Sequence, residues 1–425
     1  MGLNKDFLKS SDFKSIYKKL PKTGISSAEF AKFIADDKTQ NIFKPHFERI
    51  RLINCHNLPD TEVPAANPSK PEISAINLFS GPAALYLAQE GKKVAVLIFA
   101  DSTNVGGIFI TGGSPAGTQE EQTVLMAPEI YSYLGNNYGV HDIGGKGDGI
   151  YGAKQKRYCL DKESYEKPDI INPAYGYILT NLLMTHDNQS FFGMIKLPID
   201  KVVEVSYAFL SMPSFSTDVS RDPIGAALIG QSGEKDGEII YDNIRGAFSA
   251  SYRYKEIVDY LYDRGNHIIM GKIAIFYSYK KLNEFAEKYL GGSRSISDII
   301  AEVVKAKIYF EHNDLSEEEL KNQLGINDMS AFREDVENIV KEAQKNYEEC
   351  VLTKFTNLVR GSEAAGADTL ILGRIGCGAF RNDENEISTL MGKALAKCKS
   401  IKHIYFAGLR EGDAFIEKVK RAMYN

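Results

Sequence analysis

The chain has 425 residues, 43% of them hydrophobic, and a formal net charge of −5. It can bury a sizeable core, and it is longer than one ordinary domain. The acidic balance excludes a nucleic-acid groove, which needs a concentrated lysine and arginine surface. The longest apolar runs are of strand length, far short of a membrane span.

Five cysteines (Cys55, Cys159, Cys350, Cys377 and Cys398) without a CxxC pair, and seven histidines without an HExxH pattern, predict reduced thiols, no structural metal and a cytoplasmic setting. The N-terminus alternates charged and apolar residues and lacks the uninterrupted apolar core of a secretory signal.

Residues 1–60 carry apolar residues at helical spacing, and NLPDTEVPAANPSKPE then supplies four prolines. Residues 1–72 therefore read as a helical N-terminal extension ending in a linker. GPAALYLAQEGK predicts a helix that leads into KVAVLIFAD, a strand whose unbroken apolar run calls for burial on both faces of a sheet. TGGSPAGTQEEQTVLMAPEIY (111–131) follows, placing Glu120 and Glu121 between a glycine-rich stretch and an apolar helix.

GGKGDGIYG (144–152) has neither a preceding strand nor a GK[ST] ending, so it reads as a mobile surface loop, and its neighbour His141 reads as structural or exposed. YGYILTNLLMT and KVVEVSYAFLSM are strand candidates. Residues 233–347 change to charged, helically patterned sequence and read as a helical insertion. The sheet resumes at ADTLILGRIGCGAF (367–380), followed by a helix capped by Asn382 or Asp383 and a last strand, HIYFAGL.

Two of these segments carry chemistry, and each has a plainer reading beside it. Gly376, Cys377 and Gly378 end an apolar strand, where backbone N–H groups can cradle a phosphate without lysine, or simply make a tight turn. Thr118-Gln119-Glu120-Glu121 is an S/T-x-x-E capping box, which starts a helix without any ligand. The same two carboxylates could also serve acid–base chemistry.

Taken together and in order, the two motifs resemble the macrodomain superfamily, in its branch of poly(ADP-ribose) glycohydrolases and related bacterial proteins. The matching residues are Phe99, Ala100, Asp101, Asn104, Gly106 and Gly107, then Gln119, Glu120 and Glu121, then Pro128 and Glu129, and finally Gly376, Cys377, Gly378, Ala379 and Phe380. Val105 stands where the family's first glycine would be, and Asp101 adds a carboxylate. The resemblance covers residues 73–212 and 354–425.

It implies an α/β fold: a macrodomain-like three-layer α/β/α sandwich with a mixed sheet, spanning residues 73–425 and interrupted by the 233–347 insertion. It further implies an ADP-ribosyl hydrolase that binds ADP-ribose, with no cofactor and no metal. Glu121 would act as the acid–base, with Glu120 on the ribose hydroxyls and Asp101 nearby. Asn104, Gly106, Gly107, Gln119 and the Gly376 to Phe380 segment would hold the ligand. The expected partner is ADP-ribosylated protein or polymer, including arginine-linked mono-ADP-ribose on a host protein such as ubiquitin if the chain is a bacterial effector delivered to a host cytosol. A non-catalytic reader of ADP-ribose is the alternative, as is a scaffold that binds a protein partner through residues 233–347.

Overall fold

The computed structural model describes residues 5–21, 29, 33, 42–55, 58–62, 70–100, 118–130, 133, 176–190, 193–210, 212–213, 215, 266–291, 294, 296–312, 318, 321–322, 325–378 and 380–424. Its strands are β1 (Arg51–Asn54), β2 (Glu72–Ile76), β3 (Val94–Phe99), β4 (Tyr177–Met184), β5 (His186–Ser190), β6 (Gly193–Lys196), β7 (Val203–Leu210), β8 (Thr369–Leu372) and β9 (His403–Ala407). Seven of them form one sheet in the order β1-β4-β7-β3-β8-β9-β2, and β5 and β6 form a separate hairpin. Strands β7, β3, β8, β9 and β2 run parallel; β4 pairs antiparallel with β7, and the edge strand β1 pairs antiparallel with β4.

The helices are α1 (Lys5–Lys9), α2 (Ser11–Lys19), α3 (Ser80–Gln89), α4 (Gln119–Met126), α5 (Asn266–Phe276), α6 (Tyr279–Tyr289), α7 (Ile296–His312), α8 (Met329–Ala364), α9 (Glu384–Leu395) and α10 (Ala414–Tyr424). The unbroken apolar run of β3 is buried on both faces, as its sequence requires. Val94, Val96 and Ile98 pack with α3 and α4 on one side, and Ala95 and Leu97 pack with α8, α9 and α10 on the other. The result is the three-layer α/β/α arrangement around a mixed sheet.

Three features differ from the sequence reading. Arg51–Asn54 lies in the segment read as helical, yet it pairs with β4 as an edge strand. Four residues with two central apolar ones satisfy either period, so the partner strand decides. The proline-rich linker is pinned where it is described: Arg360 donates to Leu58 O at 2.9 Å and to Asp60 Oδ1 at 2.7 Å.

The third difference is α8, a continuous helix of 36 residues that passes through position 347. Its first half buries Phe332, Val336 and Ile339 against α5, α6 and α7, and its second half buries Tyr347, Val351 and Phe355 against the sheet. The helical segment and the sheet layer thus share one rigid element. Residues 233–265, the start of the expected insertion, lie outside the described residues. Among the described residues no helix is long and apolar enough to cross a membrane.

The β5–β6 hairpin clasps the N-terminal helices. Lys196 Nζ donates to Tyr17 O at 2.6 Å, which also accepts from the C-cap N–H of Leu20, and to Leu20 O at 3.0 Å, tying the end of α2 to the hairpin. His186 is fully buried, with Nε2 at 3.3 Å from Pro21 O and Nδ1 at 2.9 Å from Thr185 Oγ1. Because the carbonyl can only accept, Nε2 carries the proton and Nδ1 accepts from the hydroxyl. Burial, aided by the Lys196 charge, lowers the imidazole to about 4.

A buried histidine with a lowered folded value binds fewer protons than its unfolded counterpart between about pH 4 and 6.5. Its contribution to stability is complete above the unfolded value and is lost as pH falls through that window, a loss of roughly 3 kcal/mol. Urea unfolding of the wild type and His186→Gln at pH 7 and pH 4 should show the variant's stability falling less, by about that amount. Equal pH dependence would contradict the assignment.

Candidate active site

Parallel pairing of β3 with both β7 and β8 brings three carboxyl-terminal strand ends to one edge of the sheet, where open α/β sheets place their ligands. The chain leaving β3 leads to α4, and the chain leaving β8 is the GCGAF turn. Asp101, Asn104, Val105, Gly106, Gly107, His141 and Ala379 lie outside the described residues. Gln119, Glu120, Glu121, Gly376, Cys377, Gly378 and Phe380 are all placed, and the topology gathers both motifs at the same edge.

Gln119 fixes where α4 begins. The β3–β8 ladder stops at Val96 opposite Ile371. Beyond it, the Gln119 side chain takes over: Nε2 donates to Leu97 O at 2.7 Å, and Oε1 accepts from Phe99 N at 2.9 Å. A side-chain amide thus mimics the missing strand and stitches the start of the helix to the end of β3. Expected from the resemblance to hold ligand, Gln119 here serves the backbone with both ends of its amide.

The capping box is present in full. Thr118 Oγ1 accepts from Glu121 N at 3.3 Å, and Glu121 Oε2 accepts from Thr118 N at 2.9 Å. Such a cap stabilises a helix by about 0.5–2 kcal/mol. Glu120 and Glu121 are nevertheless only 2% and 1% exposed, and acidic side chains are rarely buried this deeply unless paired or functional. A cap alone would leave Glu121 at the surface just as well. The reciprocal bond also fixes the Glu121 rotamer, which an acid–base group requires.

In the second motif the glycines divide by cause. Gly376 has φ +74, and a Cβ there would come within 2.9 Å of both Asn382 Nδ2 and Met212 Cβ, so folding alone demands glycine. Gly378 has no left-handed φ, and among the described residues nothing lies within 4 Å of the place a Cβ would occupy. Internal packing gives no reason for glycine there. The turn is closed by Cys377 N to Arg374 O at 3.2 Å, Arg381 N to Gly378 O at 3.1 Å and Asn382 N to Gly376 O at 2.9 Å.

Cys377 is half-buried, and its thiol donates to Ile375 O at 3.5 Å. Burial, and then the Glu384 charge, push it up to about 12, which removes it as a thiolate nucleophile near neutrality. The helix cap after the turn is Asp383, whose Oδ1 accepts from Asn385 N at 2.8 Å and Glu386 N at 2.9 Å. Asn382, the other sequence candidate, points back into the turn.

No family profile matches the chain, and no curated protein does. The structure is similar to crystal structures of bacterial poly(ADP-ribose) glycohydrolases. That from Thermomonospora curvata aligns at 11% identity over 98% of both chains with a TM-score of 0.43. The same enzyme bound to the inhibitor ADP-HPD aligns at 11% identity over 98% of this chain and 97% of that one, with a TM-score of 0.40. The enzyme from Deinococcus radiodurans in complex with ADP-ribose gives 11% identity over 90% and 96%, with a TM-score of 0.40. A likeness at this level carries no activity across to this chain.

The sequence singles out Glu129 at the far end of the acidic helix, but not its partner Arg49. Glu129 is buried just past α4 and pairs with Arg49 at 2.6 Å, their side chains 3% and 8% exposed. Its other oxygen accepts from Leu183 N at 2.6 Å. Arg49 also donates to Asn181 O at 2.9 Å, where a β4 irregularity puts Asn181 at φ 63. Burial raises the Glu129 carboxyl from its ordinary value, while Arg49 and the Leu183 amide pull it back. The two partners are 80 positions apart in the chain, so no local spacing reveals them.

Removing Arg49 strands a buried carboxylate. Arg49→Met should cost about 3–5 kcal/mol in denaturant unfolding, and Arg49→Met with Glu129→Gln should recover a large part of it. A loss in the single variant below about 1 kcal/mol would show the pair to be energetically idle.

Proposed function

We propose that the protein is an ADP-ribosyl hydrolase whose site lies at the carboxyl edge shared by β3 and β8. The observation that carries this reading is Gly378. It is exposed, has no left-handed φ and is crowded by no described residue, on the edge where Glu120 and Glu121 are buried at a helix start. A glycine required neither by φ nor by packing among the described residues suits the close approach of a ligand. A turn of backbone N–H groups without lysine suits a diphosphate. The QEE and GCGAF resemblance supplies the rest of the ligand, an adenosine and a distal ribose.

In the reaction, the bond from C1″ to the leaving oxygen or nitrogen breaks as Glu121 gives that atom its proton. Positive charge develops on the ribose as an oxocarbenium-like state. Water then adds to C1″ and returns a proton to the Glu121 carboxylate, restoring the enzyme. Glu120 would hold ribose hydroxyls, and Asp101 would lie close to the ribose. The finer reading, arginine-linked mono-ADP-ribose on a host protein such as ubiquitin, rests on the resemblance alone and is one member of the substrate panel.

Release of free ADP-ribose from polymer and from arginine-, glutamate- and serine-linked protein tests the activity. Glu121→Gln should lower kcat by about 10²–10⁴ while keeping ADP-ribose affinity; full turnover in that variant would sink the reading. Gly378→Val should leave thermal stability unchanged and weaken ADP-ribose binding in calorimetry by about tenfold or more. Binding without release from any substrate would instead favour a reader.

A further inference from the structure

The Gly376–Gly378 turn is held from behind by the helical segment. Asn382 is buried, and its Nδ2 donates to Pro213 O at 2.7 Å and Gly376 O at 3.1 Å. It therefore ties the end of the β7 segment to the turn that follows β8. Its orientation is set by Tyr347, whose hydroxyl donates to Asn382 Oδ1 at 3.0 Å. An asparagine with its oxygen bound on one side presents its two N–H groups on the other. Tyr347 sits on α8 at the point where that helix passes from the helical segment to the sheet layer.

Tyr347 is itself fixed by groups that belong to the helical segment and to α9. Its ring meets Phe276 at 5.6 Å and Phe215 at 5.7 Å between centroids. Lys272 Nζ lies 4.4 Å from its centroid and donates to both Glu386 oxygens, at 2.8 and 2.7 Å, and to Gln344 at 2.7 Å. Lys272 is 5% exposed. Phe215 N in turn donates to Phe380 O at 2.7 Å, closing the bracket on the last residue of the motif. Ring contacts from Lys272 and Phe276 of α5 to Tyr347, and hydrogen bonds from Tyr347 through Asn382 to Gly376, thus form one continuous path.

We propose that Tyr347 and Asn382 are positioning residues that set the shape of the Gly376–Gly378 turn, so that the helical segment controls how tightly the turn holds an anionic ligand. The ligand part of this inference rests on the proposed reading of the turn as a diphosphate cradle; the bracket itself rests on the contacts alone. It gives the helical segment a role inside the candidate site, whether or not it also contacts a protein partner. It also explains why Gly376 must be glycine: any side chain would displace the Asn382 amide that holds it.

Tyr347→Phe keeps the ring and deletes the hydroxyl. Hydrogen exchange read by mass spectrometry or NMR should show about tenfold faster exchange at the Cys377, Arg381, Asn382 and Phe215 amides, with β9 amides unchanged. Asn382→Asp, which keeps the acceptor and loses the Nδ2 donors, should produce the same local pattern. In both variants ADP-ribose affinity should fall about tenfold, with turnover lost more in KM than in kcat.

Unchanged exchange at those four amides overturns the proposal, and so does acceleration spread evenly over β9, which would mark a general loss of stability. If exchange rises locally while the wild-type protein binds no ADP-ribose, the bracket stands and the diphosphate reading fails. If exchange rises locally and affinity does not change, the turn is held as described but does not set binding, and the proposal is overturned in its functional half.

Discussion

The parallel pairing of β3 with β8 is the constraint on which the candidate site depends. The two motifs are separated by about 250 positions, and only their adjacent, parallel strands bring them to one edge. The pairing is short, three registered residues from Val94 to Val96, and it ends where the Gln119 amide begins. A longer β8 ladder would occupy Leu97 O and Phe99 N, and α4 would lose its tether. The candidate site depends on the strand stopping early and on a side chain completing it.

That tether makes the first turn of α4 a fixed object. Gln119 holds its start to β3, Thr118 and Glu121 cap it, and Thr185 N donates to Met126 O at 3.0 Å at its end. The Arg49–Glu129 pair then locks the following residues to β4. Several neutral hydrogen bonds contribute about 1 kcal/mol each, whereas the buried pair is expensive to break. Capping and chemistry are therefore compatible in Glu121. Holding the carboxylate in one rotamer serves both, and its burial is the part that capping does not explain.

How much of this was legible in the sequence varies with the range of the interaction. The β3 run VAVLIF announced a strand buried on both faces, and its neighbour β8, TLIL, was equally plain, because burial on two faces leaves no polar alternation. The capping box was readable because its partners are three residues apart. Arg51–Asn54 was not, since four residues cannot distinguish the two periods. Position 347 looked like a boundary because composition changes there. In the structure the helix changes what it packs against and does not end, and a helix that exchanges one apolar neighbour for another carries no break signal. Arg49 with Glu129, and Tyr347 with Asn382, are tertiary pairs with no spacing rule. Asn382 looked like a helix cap because asparagine favours caps, and the adjacent Asp383 took that place, freeing Asn382 to turn inward.

The division of the glycines bears on how motifs of this kind should be read. Glycine at a strand end is usually credited to ligand approach or to a positive φ, without separating the two. Here the backbone separates them. Gly376 needs its conformation and the room for Asn382, so its presence says nothing about a ligand. Gly378 needs neither, so it is the one glycine in the turn that points outward. Cys377 between them is turned toward Ile375 O with its thiol held protonated, and its backbone N–H donates to Arg374 O, so both groups serve the turn itself. A motif that reads as five equivalent letters thus resolves into one residue that shapes the turn, one whose side chain is withdrawn, and one left open for the proposed ligand.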